Sequence, residues 1–80
     1  MAVRLVFLGR LEDIAGAGEL SLPGPFTYGA LIGRLPHDLA EAVSAERIKL
    51  ALNGTVVARD AALEIADGDE LAFLPPVSGG

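Results

Sequence analysis

The chain has 80 residues, enough for one small domain, and 51% of them are hydrophobic, so it can bury a core of its own. Eleven acidic residues against six basic ones give a net charge of −5, which argues against nucleic acid or an anionic membrane as a partner. Because the chain has no cysteine, it has no disulfide framework, thiolate metal site or thiol nucleophile.

The first predicted element is a central strand over residues 2–8, because both of its faces are largely apolar. One face carries Val3, Leu5 and Phe7, and the other carries Arg4, Val6 and Leu8. The run is too short for a signal peptide, and no segment approaches the length of a membrane span. We therefore expect a cytoplasmic protein.

Residues 9–18 are rich in small and polar side chains and predict a loop or one irregular turn, with Gly16 and Gly18 as turn formers. Residues 19–22 alternate and predict a second strand that pairs with the first as a hairpin. The sequence Pro23-Gly24-Pro25 closes that strand.

Two helices are predicted next. Thr27 is a suitable N-cap for a main helix that presents apolar residues at helical spacing, and Pro36 must end it. Asp38 followed by Glu41 has the spacing of a capping box, which predicts a short second helix reaching about residue 44.

The C-terminal half predicts short strands at 48–52, 55–58 and 71–74. Asn53-Gly54 is a strong hairpin signal, and the acidic run at 67–70 predicts a tight turn. Residues 60–65 form a connector that carries Leu63 and Ile65 inward. The element order predicts an α+β roll, a mixed sheet packed on one main helix plus a short second helix. If the first and last strands pair in parallel at its centre, the tail leaves from the middle of an edge of the fold.

The sequence divides into a folded domain, residues 1–74, and an extended tail, residues 75–80. Pro75 and Pro76 favour an extended backbone, and Gly79 and Gly80 could enter a channel too narrow for other residues. Six extended residues reach about 20 Å at most. The alternative is an ordinary glycine-rich chain end without a role.

Few side chains in the sequence are candidates for catalysis or metal binding. His37 has no second ligand candidate, so no metal site is expected, and Ser78 has no histidine base nearby in the sequence. Lys49, the only lysine, is expected to face solvent from a strand. By elimination, the reactive group worth considering is the carboxylate of Gly80. Adenylation would activate it, and a sulfur nucleophile could then convert it to a thiocarboxylate.

The residues that end the chain resemble those of a known family. Residues 67–80 combine an acidic turn, an apolar strand, Pro75-Pro76-Val77-Ser78 and Gly79-Gly80, as in the small, sulfur-carrying subunit of molybdopterin synthase. Residues 5–11 and 52–54 add to the resemblance, which spans the whole chain. It departs from the family at Glu12, where a basic residue is common, and at Pro36, which interrupts a helix that is usually longer.

The resemblance implies a ubiquitin-like β-grasp fold and a non-catalytic, sulfur-donating subunit of a heterotetrameric sulfurtransferase complex. An ATP-dependent, E1-like activating enzyme would adenylate Gly80, and Gly79 and Gly80 would enter the large catalytic subunit. There the sulfur would pass to precursor Z and build the dithiolene of molybdopterin. No cofactor would bind the chain stably, since the activating enzyme uses the ATP.

A docking surface is also expected beside the tail. If Val3, Leu5 and Phe7 face the helix, the opposite sheet face should expose a partner-binding patch. The residues expected to bind the partner are Val6, Leu8, Leu74, Pro75, Pro76, Val77 and Ser78. The alternative is that the connector at 60–65 covers this face.

Three other functions stay open from the sequence. A β-grasp carrier could serve thiamine or cysteine synthesis or tRNA thiolation, because such carriers also end in Gly-Gly. A plain interaction module would never have its tail activated. A self-contained enzyme is disfavoured, because no constellation of titratable residues supports one.

Overall fold

The computed structural model describes residues 2–76, and these form one mixed α+β unit. The strands are β1 (Val3–Phe7), β2 (Glu19–Leu22), β3 (Phe26–Thr27), β4 (Lys49–Leu52), β5 (Thr55–Val57), β6 (Glu64–Ile65) and β7 (Glu70–Leu74). The helices are α1 (Arg10–Ala15), α2 (Tyr28–Arg34) and α3 (His37–Val43).

Five strands form the main sheet, in the order β2-β1-β7-β4-β5. The first and last strands pair in parallel, with Leu5 opposite Leu71 and Phe7 opposite Phe73. β7 also pairs antiparallel with β4, so it is the central strand of the sheet. The segment that follows β7 therefore leaves the fold from the middle of the sheet.

The core lies between one face of this sheet and the three helices. Strand alternation directs one set of side chains inward, and Val3, Leu5 and Phe7 are at most 1% exposed, as predicted. Each helix adds a buried apolar residue to the same cluster, namely Leu11, Leu31 and Leu39. The helices thus cover only this face of the sheet.

The region 9–18 contains a helix where the sequence predicted a loop. α1 buries Leu11, and Gly16 ends the helix in a left-handed conformation with φ 79°. The prediction of a loop was wrong. The helix is short and flanked by glycines, so the local sequence does not indicate it, and its stability comes from burying Leu11 against the core. β1 and β2 pair antiparallel as expected, although α1 lies between them in the chain.

The two predicted helices are present, with one error at a cap. Thr27 caps α2, since its Oγ1 accepts a hydrogen bond of 3.2 Å from the Ala30 amide. α2 ends at Arg34, just before Pro36, as predicted. Asp38 is not the cap of α3, because the helix already begins at His37 with Pro36 at the N-cap position and no side-chain cap. The capping box with Glu41 is therefore absent, and Glu41 pairs with His37 instead, at 3.0 Å.

The remaining elements close one side of the fold. Asn53 and Gly54 turn β4 into β5 with φ values of 52° and 86°, as the hairpin signal predicted. β3 pairs with β6 in a separate two-stranded sheet that the sequence did not reveal. In that sheet Ile65 is 1% exposed, which confirms the expectation that it points inward. No helix among residues 2–76 is long and apolar enough to cross a membrane.

Candidate functional site

The candidate site is the end of β7, where the chain leaves the sheet. Leu71 and Phe73 point into the core, and the Phe73 ring stacks on that of Phe7 with centroids 5.3 Å apart. β7 is hydrogen-bonded to a strand on each side. The start of the tail is thereby fixed relative to the rest of the domain.

A close approach between Gly9 and Pro75 positions the first tail residue. Gly9 links β1 to α1 with φ 58°, a conformation that side chains other than glycine adopt at a cost. A Cβ atom at this position would lie 3.2 Å from Cγ of Pro75, tighter than ordinary van der Waals contact. Pro75 is half-buried, while Pro76 is exposed. The glycine therefore allows the proline to lie against the β1–α1 turn.

The outer face of the sheet, opposite the helices, carries a continuous apolar row. Strand register places Val6 beside Ala72, Ala72 beside Ala51, and Ala51 beside Val56. Val56 is 63% exposed, and Leu8, just beyond β1, is 43% exposed. Among residues 2–76 no helix lies over this row. We call these residues, together with Leu74, the outer-face patch.

Charged side chains border the patch. Arg4 on β1 lies between two carboxylates: its Nε is 3.3 Å from Oε1 of Glu19, and its Nη2 pairs with Glu70. On the tail side, Lys49 of β4 is opposite Leu74 of β7. A patch with an apolar centre and a charged rim has the composition of a protein–protein interface.

The connector at 60–65, which was the alternative cover for this face, contacts the helical side of the domain instead. Ala61 and Leu63 of the connector accept hydrogen bonds from Gly29 and Tyr28 at the start of α2, at 3.0 and 2.8 Å. The connector thus satisfies helix amides on the helical side of the domain, and Val6, Leu8 and Leu74 share the outer face as predicted. Val77, Ser78, Gly79 and Gly80 lie outside the described residues, so their predicted roles stay predictions.

A cleft beside the root of the tail was not predicted. It has a volume of about 430 Å³ and is lined by Gly9, Arg10, Leu11, Arg47, Ile48, Pro75 and Pro76. Arg10 begins α1, and Arg47 precedes β4 in the segment that follows α3. No spacing in the sequence indicates this pair, because 36 residues separate Arg10 from Arg47 and only the fold brings them to one cleft.

Two titratable groups are perturbed by structural contacts. Burial raises the pKa of Tyr28, although the nearby charge of Arg59 opposes the shift. The pKa of Asp69 is lowered, first by a hydrogen bond from Asn53 and then by one from the backbone amide of Ala66. These bonds measure 3.0 and 2.8 Å and hold the turn before β7. The Asp69 carboxylate thus stabilises this turn.

The described residues contain no cluster of three or more His, Cys, Asp or Glu side chains that could hold a metal ion. His37 pairs with Glu41 on the exposed face of α3, away from the root of the tail. The site therefore offers a shaped surface at the root of the tail, with no constellation of catalytic side chains among residues 2–76.

The model of the ThiS family matches residues 5–80. The chain belongs to this family. The molybdopterin synthase sulfur carrier subunit of Dictyostelium discoideum is 28% identical over 81 aligned positions, covering 96% of this chain and 94% of that protein. The resemblance to small subunits of molybdopterin synthase is thus confirmed.

Solved structures of related proteins confirm the β-grasp fold. The crystal structure of SAMP1 from Haloferax volcanii superposes with a TM-score of 0.73 at 26% identity, over 100% of both chains. Subunit 1 and 2 of the molybdopterin-converting factor of Helicobacter pylori are described as a protein–protein complex. One of its chains matches this fold with a TM-score of 0.71 at 22% identity, over 100% of both chains.

Proposed function

We propose that this ThiS-family protein is a sulfur carrier that holds sulfur as a thiocarboxylate on Gly80 and donates it in molybdopterin synthesis. The observation that carries the proposal is that the family match runs through residue 80 and so includes Gly79-Gly80. The Dictyostelium discoideum relative, a sulfur carrier subunit, supports the same role. On its own the protein is a carrier and not an enzyme.

The chemistry requires two steps on the carboxylate, both performed by an ATP-dependent activating enzyme. A Gly80 carboxylate oxygen attacks the α-phosphorus of ATP, and pyrophosphate leaves. A hydrosulfide ion then attacks the carbonyl carbon of the acyl adenylate, AMP departs with the bridging oxygen, and the proton passes to solvent. The product is the thiocarboxylate, which the large subunit of molybdopterin synthase receives in its active site.

The structure supports this role through the position of the tail. β7 ends at the centre of the sheet beside the open outer-face patch, so a partner that contacts Val6, Leu8 and Leu74 would also lie next to Pro75 and Pro76. The glycines at 79 and 80 could then enter a narrow channel because they carry no side chains. Docking and delivery would occur on one face.

The test is the intact mass of the protein after incubation with ATP, sulfide and an extract of its source cells. We expect a mass gain equal to the replacement of one oxygen by sulfur, and no gain in a variant that lacks Gly80. An unchanged mass, with the same extract active on a control carrier, would contradict the proposal. It would favour an interaction module whose tail is never activated.

A second candidate is a sulfur carrier for another pathway, such as thiamine or cysteine synthesis or tRNA thiolation. The similarity to SAMP1 supports this second candidate, because SAMP1 is 26% identical to this chain over the full length of both proteins. Co-purification separates the two. Recovery of a molybdopterin synthase large subunit with the tagged protein supports the first candidate, and recovery of a different sulfur-accepting enzyme supports the second.

A further inference from the structure

The cleft at the root of the tail brings together the two arginines for which the fold has no evident use. The other three each bind within the domain. Arg4 pairs with two carboxylates, Arg59 donates to the carbonyls at the end of α3, and Arg34 lies over the Phe26 ring and donates to the Pro23 carbonyl. Arg10 and Arg47 make no ion pair or side-chain hydrogen bond within residues 2–76, and both line this cleft.

The positions of these two residues do not stabilise their own elements. Arg10 is the first residue of α1, and a cation at a helix N-terminus is unfavourable because that end of the helix dipole is positive. Arg47 follows α3 in the segment leading to β4, and both side chains are exposed. A chain of net charge −5 thus places two guanidinium groups, neither paired with any residue of the described range 2–76, beside the start of its tail.

The walls of the cleft suit a specific contact. Leu11 and Ile48 are buried and form an apolar floor, and Pro75 and Pro76 form the side next to the tail. Guanidinium groups bind carboxylates through paired hydrogen bonds. Pro75 and Pro76 are the first two residues of the tail, so a protein that contacts the root of the tail lies next to this cleft.

We propose that Arg10 and Arg47 bind carboxylate side chains on the activating enzyme that receives the tail. The pair orients the carrier before Gly80 reaches the enzyme's active site. This inference rests on the proposed function, since it requires that an enzyme takes the tail. It assigns a positioning role to two residues and adds a charged contact separate from the apolar outer-face patch.

The test uses the activating enzyme purified from the source cells by following the mass gain of the wild-type carrier. The initial rate of thiocarboxylate formation is measured against carrier concentration for the wild type and for Arg10→Gln/Arg47→Gln. Because charge pairs at an interface rim are weak, we expect the half-saturating concentration to rise about three- to tenfold and the maximal rate to stay unchanged. The wild type should also lose affinity more steeply with added salt than the variant.

The matched control is Gly33→Glu/Thr55→Glu, which changes the net charge by the same two units but lies away from the cleft. Both positions are exposed, and a side chain at Gly33 meets no atom within 4 Å. We expect it to match the wild type in half-saturating concentration. If it weakens binding as much as the double variant, the effect is one of net charge and the proposal is wrong.

Other outcomes are distinguishable. No mass gain in the wild type would contradict the proposed function itself and this inference with it. A mass gain with equal half-saturation in the wild type and Arg10→Gln/Arg47→Gln at every salt concentration would overturn this inference alone. A lower half-saturating concentration in the variant would also overturn it, because it would indicate that the arginines hold the chain's own terminal carboxylate.

Discussion

Phe7 and Phe73 stack in the centre of the core, with ring centroids 5.3 Å apart and ring planes inclined by only 5°. They lie opposite each other on the parallel strands β1 and β7, so the stack joins the first strand of the chain to the last. Both rings are at most 1% exposed. The pair therefore fixes the strand from which the tail departs.

Replacing Phe73 with alanine should destabilise the whole domain. Removing a buried ring leaves a cavity, and such changes cost about 3–5 kcal/mol in the free energy of unfolding. Urea unfolding followed by circular dichroism measures the loss. Val56→Ala, at a residue that is 63% exposed, should change stability by less than about 0.5 kcal/mol. Equal effects of the two variants would contradict the stacking as a source of stability.

Gly9→Ala should cost stability and also displace the root of the tail. Its φ of 58° strains an alanine by about 1–2 kcal/mol, and the new Cβ would press on Cγ of Pro75. Gly33→Ala is the matched control, because a Cβ there meets nothing within 4 Å and helix propensity favours it by about 0.5–1 kcal/mol. Thermal unfolding should therefore shift in opposite directions for the two variants. A Gly9→Ala protein as stable as the wild type would argue against the strained contact.

The outer-face patch should be required for binding the large subunit. Leu8→Asp or Leu74→Asp should leave the fold intact and abolish complex formation, because each buries a charge against an apolar partner surface. Ile14→Asp on α1 is the control, since Ile14 is 46% exposed against 43% for Leu8. Titration with the large subunit by calorimetry measures the affinity. Unchanged affinity in the two patch variants would contradict the docking surface.

Asp69 should make stability depend on pH in the acidic range. The pKa of Asp69 in the folded protein is below its ordinary value of 3.8. The contribution of this carboxylate to the stability of the fold is therefore fully present above pH 3.8 and is lost as the pH falls through the folded pKa. Asp69→Asn keeps an oxygen that can accept from the Ala66 amide but removes the charge. We expect the urea midpoints of the variant and wild type to differ at pH 7 and to converge as the pH falls through the folded pKa of Asp69. A constant difference across this range would contradict an ionised role.

Local signals in the sequence were reliable where one residue type decides the backbone. Asn53-Gly54 predicted the β4–β5 turn, Thr27 the cap of α2, and Pro36 its end, because each acts through its own conformation or side-chain oxygen. The alternation in β1 placed Val6 on the outer face and Phe7 in the core. These signals predicted the first hairpin partner strands, the two later helices and the strands β4, β5 and β7.

Features that depend on tertiary contacts were missed or misassigned. α1 is stabilised by burying Leu11, which its glycine-flanked sequence does not show. Asp38 was assigned as a cap, although Pro36 already occupies that position with an extended backbone. The cleft between Arg10 and Arg47 arises only when the chain is folded, since distant segments supply its walls. Local sequence patterns do not predict contacts between segments that are distant in the sequence.

The placement of β7 also affects when the protein can fold during synthesis. This strand is the last in the sequence and the central one in the sheet, and both of its neighbours depend on it for half of their pairing. A nascent chain that still lacks Leu71 and Phe73 has a gap through the middle of its core. Folding must therefore wait until the ribosome has released β7, so that chains truncated before this strand remain unfolded and open to proteolysis.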